Sequence, residues 1–337
     1  MARELVRRLA CLSIIALSAC AHAQEVGSRV PAEATDAGTP QPGSPDQGAR
    51  AQETAADDST STTPPKDKDI VDRFFAIFSQ KEDPDGPINT DRPTFTPANT
   101  VVPPGRLQFE SGFTYNLQQR GRANDNIYDL PELAMRYGVR DRMEFRVFWE
   151  GPTFAQPASS PGRRGTRLGG GSDMEVGFKW QLFAGDKDRK WIPTTALITS
   201  VIAPTGGSSP LSSGTAEPYI NLIYGWSIGE KLTLAGSTGY LGQRQQPVPA
   251  SHILADNFQR FHQSLVAFYT VGERTTLFYE WYVLMFTNST NNLPNHFMDG
   301  GVLYRVSPNI QLDLRAGFGL SGRPDDFFTG TGLSFRF

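Results

Sequence analysis

The feature of this sequence that most constrains its fold is a period-two alternation of apolar and polar residues, which recurs from Leu107 to Phe337. In "RMEFRVFWE", Met143, Phe145 and Val147 alternate with charged residues, and "DMEVGFKWQLF" and "IQLDLRAGFGL" follow the same pattern. Successive side chains of a β-strand point to opposite faces, so each stretch predicts a strand with one apolar and one polar face. About twelve such segments predict an all-β fold.

The connections between these segments alternate in length. Short turns are predicted near residues 138–141, 185–190, 229–231, 272–275 and 307–309. Longer loops are predicted near residues 118–126, 151–171, 204–216, 242–257, 287–295 and 321–326. An even strand count, with short turns at one end and longer loops at the other, is typical of outer-membrane barrels. The sequence therefore predicts a transmembrane antiparallel up-and-down β-barrel of about 12 strands.

A soluble sandwich or barrel is the competing all-β interpretation, because its strands also alternate. Aromatic residues such as Trp149 and Trp180 on the apolar face favour a membrane barrel, whose apolar belt carries aromatic girdles. The final "LSFRF" is interpreted as the strand that closes the sheet, since every backbone group in hydrocarbon must be paired. We expect Phe337 to act as a barrel-assembly signal, as terminal phenylalanines do in bacterial barrels.

The first residues have the composition of a secretory leader: three early arginines, an apolar run over residues 9–17 and an A-x-A motif ending at Ala23. We expect cleavage after Ala23. Cleavage before Cys20, with acylation of that cysteine, is the alternative that "LSAC" suggests. The only other cysteine is Cys11, so the mature chain is predicted to contain no disulfide and no thiolate metal site.

Four regions are predicted. Residues 1–23 form the signal peptide, 24–66 a disordered periplasmic tail, 67–104 a short helix and a Pro-rich segment, and 105–337 the barrel. The tail contains few residues to bury. "DIVDRFFAIFSQ" has apolar residues at helical spacing, and this helix either rests on the fold or plugs the barrel mouth.

Charged residues on the polar faces of the predicted strands are the candidate lumen-lining residues. They are Glu110, Glu132, Arg136, Glu144, Arg146, Glu175, Lys179, Glu280, Asp299, Arg305, Asp313 and Arg315. Both signs are present, so we expect ion pairs across the lumen and no strong ion selectivity. Twelve strands enclose less room than the 16–18 strands of porins, and we expect a narrow or partly filled lumen.

The stretch "INTDRPTFTPANTVVPPGRLQFESGFTY" resembles a bacterial family of outer-membrane transporters linked to the MetA pathway of phenol degradation. The matching motifs are Thr90 to Pro93, Phe95 with Thr96, and Val102 to Arg106. The resemblance implies an outer-membrane barrel, grouped with transporters of aromatic or hydrophobic compounds, and brings no catalytic residues. From the residues alone, 91–93 is either an ordered cap on the periplasmic rim, with Asp91 and Arg92 paired to barrel groups, or an extended linker.

No motif for a cofactor or a metal ion is found, and no catalytic residue is assigned. His262 and Ser264 share a strand face and could form a hydrolase dyad, but polar lining is the favoured interpretation. The formal net charge is only −3, which argues against a nucleic-acid partner.

We expect a passive channel or transporter for small molecules in the outer membrane of a Gram-negative bacterium. Its expected partners are outer-membrane lipids and lipopolysaccharide, the barrel-assembly machinery and a small-molecule solute. A structural or surface-interaction barrel is the alternative, and a barrel hydrolase is the third.

Overall fold

The computed structural model describes residues 83–120, 123–156, 168–185, 192–207, 212–245, 256–287, 294–321 and 327–337. The predicted leader, tail and short helix lie outside these residues. The described part of the chain is built from strands, turns and extended backbone. It contains no helix long and apolar enough to cross a membrane.

Fourteen strand segments form one antiparallel sheet. They are β1 Leu107–Arg120, β2 Ala123–Arg140, β3 Met143–Trp149, β4 Pro152–Gln156, β5 Leu168–Gly171, β6 Met174–Phe183, β7 Thr194–Ala203, β8 Glu217–Ile228, β9 Leu232–Gln245, β10 Asp256–Val271, β11 Thr275–Thr287, β12 Asn295–Ser307, β13 Ile310–Gly319 and β14 Phe327–Arg336.

Two pairs of segments are interrupted single strands, which makes twelve barrel strands. β3 and β4 both pair with β2, and β5 and β6 pair with β4 and β3 respectively. Gly151 lies at the first interruption with a φ of 81°. A side chain there would overlap the carbonyl of Pro131, so glycine is required both by the backbone angle and by the close approach of β2.

The sheet closes on itself through β1 and β14. These strands pair from Gln108↔Arg336 to Leu117↔Phe327. Leu107 and Phe337 then exchange two backbone hydrogen bonds of 2.9 and 3.0 Å. Since β1 also pairs with β2, the twelve strands form a continuous ring, and the prediction of a closed all-β barrel is confirmed.

Both chain ends of the barrel lie at the end that carries the short turns. β2 and β3 are joined by Asp141 and Arg142, and β12 and β13 are joined by Pro308 and Asn309. The predicted long loop at 118–126 is wrong, because β1 and β2 stay paired out to Arg120↔Ala123. The predicted loop at 151–171 likewise contains the paired segments β4 and β5. In the β1–β2 extension polar residues occupy both faces, and β4 and β5 are too short, with three glycines in β5, to show an alternation.

The barrel has an apolar exterior and a charged interior. Leu265, Tyr279 and Leu314 face outwards and are 52%, 57% and 53% exposed. Glu144 and Glu280 face inwards and are fully buried. The small apolar cluster of Ala235, Val266 and Phe278, with Phe268 and Leu303 against it, also lies inside the barrel.

Candidate functional site

A loop of residues 86–105, here named the inner segment, enters the barrel and leaves it at the same end. Ile88 donates its backbone N–H to Pro308, in the β12–β13 turn, at 2.7 Å. Gly105 donates to Gly138, near the β2–β3 turn, at 2.8 Å. Between these points the inner segment contacts inward-facing side chains of seven strand segments, namely β1, β2, β3, β6, β10, β11 and β13.

Asp91 is the point where three cations of the barrel wall meet. Its Oδ1 accepts a hydrogen bond of 2.7 Å from Lys179 Nζ, and its Oδ2 accepts one of 2.9 Å from an Arg146 guanidinium nitrogen. The guanidinium of Arg136 lies 3.3 Å from Oδ1. The same oxygen accepts the backbone N–H of Ala98 at 3.0 Å, which ties the two limbs of the inner segment together.

The charges around Asp91 balance because the wall supplies acids as well as bases. Arg136 makes a two-pronged contact with Glu144, at 2.8 and 2.9 Å, and a further contact of 2.9 Å with Glu110. Burial alone would raise the pKa of Asp91, but the charges of Arg136, Lys179 and Arg146 outweigh it and hold that pKa well below its usual range. Asp91 is therefore a carboxylate at any physiological pH.

Arg92 binds the neighbouring part of the wall, from β2 to β13, at the seam where the barrel closes. Its guanidinium pairs with Glu132, lies 3.5 Å from Asp313 and donates to the carbonyl of Thr331 at 3.2 Å. Gly112 and Gly332 are direct partners across the β1–β14 seam. A side chain at either position would overlap the Arg92 side chain, so the paired glycines form the slot in which it lies.

The tip of the inner segment is bound to the middle of β10 and β11. Glu280 accepts the backbone N–H groups of Phe95 and Thr96 at 2.6 and 2.7 Å. The hydroxyls of Thr96 and Ser264 are 2.7 Å apart. The ring of Phe95 stacks on Tyr282 with a centroid separation of 4.4 Å. Backbone, hydroxyl and ring contacts therefore all fix the tip against one wall.

Most of the charged residues predicted to line the lumen contact the inner segment. Nine do so directly: Glu110, Glu132, Arg136, Glu144, Arg146, Lys179, Glu280, Asp313 and Arg315. Of the other three, Glu175 lies 3.6 Å from Arg146, Asp299 is the register partner of Glu280, and Arg305 lines a cavity beside the inner segment.

The inner segment itself was only half anticipated by the sequence. Of the two alternatives left open for residues 91–93, the structure shows the ordered one: Asp91 and Arg92 do pair with barrel groups. The segment lies inside the barrel, however, and not on its rim. Phe95 and Thr96 were named only as part of the family motif, with no role assigned to them, and the glycine slot was not predicted.

The hydrogen bonds of the suggested hydrolase pair go to different partners. Ser264 bonds to Thr96 and Ser237, at 2.7 and 2.8 Å. His262 bonds to Asn221 at 3.2 Å and meets the ring of Phe95 edge-on. These contacts give both residues a role in seating the inner segment and in lining the interior.

A family model described as "Putative MetA-pathway of phenol degradation" matches residues 90–337. The chain belongs to this family. The match begins at Thr90, so the family pattern includes most of the inner segment as well as the barrel. A comparison with curated protein sequences finds no match.

Among solved structures, an outer membrane channel from Pseudomonas putida F1 has the same fold. It is 12% identical, with a TM-score of 0.56, and the match covers 73% of this chain and 100% of the channel. The translocator domain of the autotransporter NalP from Neisseria meningitidis is also 12% identical, with a TM-score of 0.46, over 69% of this chain and 88% of that domain. The chain is thus a β-barrel with the fold of an outer-membrane channel.

Proposed function

We propose that the chain is an outer-membrane channel for small molecules, and that the inner segment opens and closes it. The observation that carries this proposal is the inner segment itself. It extends from the Asp91 cluster on β2, β3 and β6 to the Glu280 contacts on β11. A solute that crosses the barrel must pass this segment.

The exterior of the barrel supports placement in a membrane. A protein in water exposes large apolar side chains singly, whereas here the outward faces of successive strands carry them in a belt. A closed sheet with apolar residues outside and charges inside suits a bilayer, where all backbone groups must be paired within the protein. We place the end with the short turns, and hence the inner segment's connection to the tail, on the periplasmic side.

The chemistry of the contacts between the inner segment and the barrel wall supports a segment that can detach from that wall. The inner segment is held mainly by ion pairs and hydrogen bonds, and its buried apolar residues are Ile88, Pro93 and Val102. Buried ion pairs add little net stability, because desolvation offsets most of their attraction. Water that enters the interior can solvate the charges that the segment leaves behind.

A disulfide between the inner segment and the wall tests this mechanism. The hydroxyls of Thr96 and Ser264 are close enough for the double variant Thr96→Cys, Ser264→Cys to form one. The protein would be produced from Gln24 onwards, which removes both native cysteines. Single-channel currents would be recorded in planar bilayers before and after reduction. We expect openings only in the reduced protein.

The single variant Thr96→Cys is the control, and its currents should not depend on the redox state. Equal openings of the double variant in both states would show that conduction does not need the segment to move. A variant without residues 24–104 separates the remaining cases. If that variant is also silent, the chain is not a channel, and the structural or surface-interaction role takes precedence.

A further inference from the structure

A cavity of about 510 Å³ lies between the inner segment and the wall formed by β9 to β13. Small-molecule sites in proteins fall in the range of about 300–1,000 Å³. The cavity reaches the exposed turn residue Arg274, between β10 and β11, so it lies towards the end of the barrel that bears the short turns. It is therefore large enough for a one-ring compound and placed where a solute could reach it from that end.

The charged residues among the described lining of the cavity are all arginines. Arg92, Arg274 and Arg305 contribute guanidinium groups, while none of the described residues that line it carries a carboxylate. Arg92 is already paired with Glu132 and Asp313. Arg274 and Arg305 line the cavity at its outer end, towards the short turns.

The remaining lining divides into hydrogen-bonding and apolar parts. Threonine hydroxyls come from both sides, among them Thr94 on the inner segment and Thr276 on β11. The apolar part includes Ala235, Phe268 and Leu303, which belong to the interior apolar cluster. Guanidinium groups bind carboxylates through charge-assisted hydrogen bonds, and an apolar wall accepts a ring or an alkyl chain.

We propose that this cavity is a binding site for a small organic carboxylate with an apolar body, such as a one-ring aromatic acid. The carboxylate would lie against Arg305 and Arg274, and the ring would lie against Phe268 and Leu303. The inference rests on the proposed function for the role of the site in transport, but the binding itself can be measured separately. Because about half of the lining belongs to the inner segment, bound ligand would also bridge that segment to the wall.

The test is calorimetric titration of the folded full-length protein, in detergent, with sodium benzoate. Benzamide has the same ring without the charge, and acetate has the charge without the ring. We expect saturable benzoate binding, with benzamide and acetate each at least about tenfold weaker. Arg305→Gln and Arg274→Gln should each weaken benzoate binding by about tenfold or more, because each removes a charge-assisted hydrogen bond.

Arg142→Gln is the matched control, since Arg142 is an exposed arginine in a short turn at the same end and does not line the cavity. Its benzoate affinity should equal that of the wild type. Arg274 lies in an exposed turn, so its variant remains informative even if Arg305→Gln fails to fold. The inference is overturned if benzoate does not bind, if benzamide binds equally well, or if Arg274→Gln matches the wild type.

Single-channel currents of the same preparations in bilayers distinguish a failure of the proposed ligand site from a failure of the proposed channel function. A conducting protein that does not bind benzoate would leave the proposed function intact and remove the ligand site. Benzoate binding that depends on Arg274, in a barrel that never conducts, would keep the site and remove its role in transport.

Discussion

Asp91 lies on the inner segment, yet it is the ion-pair partner of three cations of the barrel wall. Lys179 is fully buried, and the contacts that satisfy its ammonium group include Asp91 at 2.7 Å and the carbonyl of Ala98 at 3.0 Å. Both of these partners lie on the inner segment. Removal of the Asp91 charge would leave Lys179 and Arg146 under-compensated in the interior, which is costly in a low-dielectric environment.

We therefore predict that Asp91→Asn loosens the inner segment without disrupting the barrel. Breaking a buried ion pair from one side costs about 3–5 kcal/mol, so the seated state should become less populated by at least tenfold. Hydrogen exchange of peptides from residues 86–105 should accelerate, while exchange in the strands is unchanged. Asp141→Asn, in the exposed β2–β3 turn, is the control. Unchanged protection of residues 86–105 in Asp91→Asn would refute the central role of this residue.

The pH dependence of this effect follows from the sign of the pKa shift. The pKa of Asp91 is lower in the folded protein than in the unfolded chain, so its contribution is complete above about pH 4 and is lost as the pH falls through the folded value. We predict that the difference in exchange-derived stability between wild type and Asp91→Asn stays constant from pH 7 to pH 5. It should shrink only below about pH 4. A difference that disappears near pH 6 would mean that another group is responsible.

At the scale of residues, the sequence predicts which face of a strand a side chain occupies, but not which residue that side chain pairs with. The period-two pattern put Glu144 and Lys179 on the polar side of their strands, and the structure places both inside. The pairing of Lys179 with Asp91 joins residues 88 positions apart, and no local pattern encodes it. A side chain at position 112 would overlap Arg92, and one at position 332 would overlap Arg92, Asp313 and the carbonyl of Ser111, and the strand pattern predicts none of these contacts.

At the scale of elements, alternation identified the strands well wherever one face was apolar. It failed where β1 and β2 run on beyond the apolar belt, in "LQQR" and "ANDN", because both faces are polar there. Backbone hydrogen bonds continue the ladder regardless of side-chain polarity. The closing strand β14 was identified because its alternation continues to the last residues of the chain.

The β1–β14 closure allows a test of the expected assembly signal. Phe337 contacts Phe109 and Phe335 with ring centroids 6.0 Å apart, whereas its backbone makes the two closing hydrogen bonds with Leu107. Phe337→Ala keeps those hydrogen bonds. We predict that it sharply lowers the amount of folded barrel in bacterial outer membranes but refolds normally in lipid vesicles, as followed by heat-modifiable gel migration.

Phe335→Ala removes a neighbouring ring from β14 and is the control for lost packing. If Phe337→Ala and Phe335→Ala reduce membrane assembly equally, the terminal residue has no special role as a signal. If Phe337→Ala also fails to refold in vesicles, its effect is on stability and not on recognition by the assembly machinery.

At the scale of the whole molecule, the barrel is inverted relative to a soluble protein, with apolar side chains outside and charged side chains inside. The sequence predicted an apolar exterior and a charged interior. It did not predict that a loop of the same chain fills that interior, since the inner segment is held by contacts spread over most of the barrel's circumference. Such contacts exist only once the barrel has closed.

The inverted surface also gives the sharpest test of membrane placement. Leu265 lies near the middle of β10 and is 52% exposed, and Val271 ends the same strand on the same face and is 48% exposed. In water, arginine would be tolerated equally at both positions. In a bilayer, arginine costs about 2–4 kcal/mol near the midplane and about 0–1 kcal/mol near the interface. We therefore predict that Leu265→Arg lowers the free energy of unfolding in phospholipid vesicles by at least about 2 kcal/mol, while Val271→Arg changes it by less than about 1 kcal/mol. Guanidinium titration of both variants, followed by tryptophan fluorescence, measures the difference, and equal values would place this face of the barrel outside the hydrocarbon.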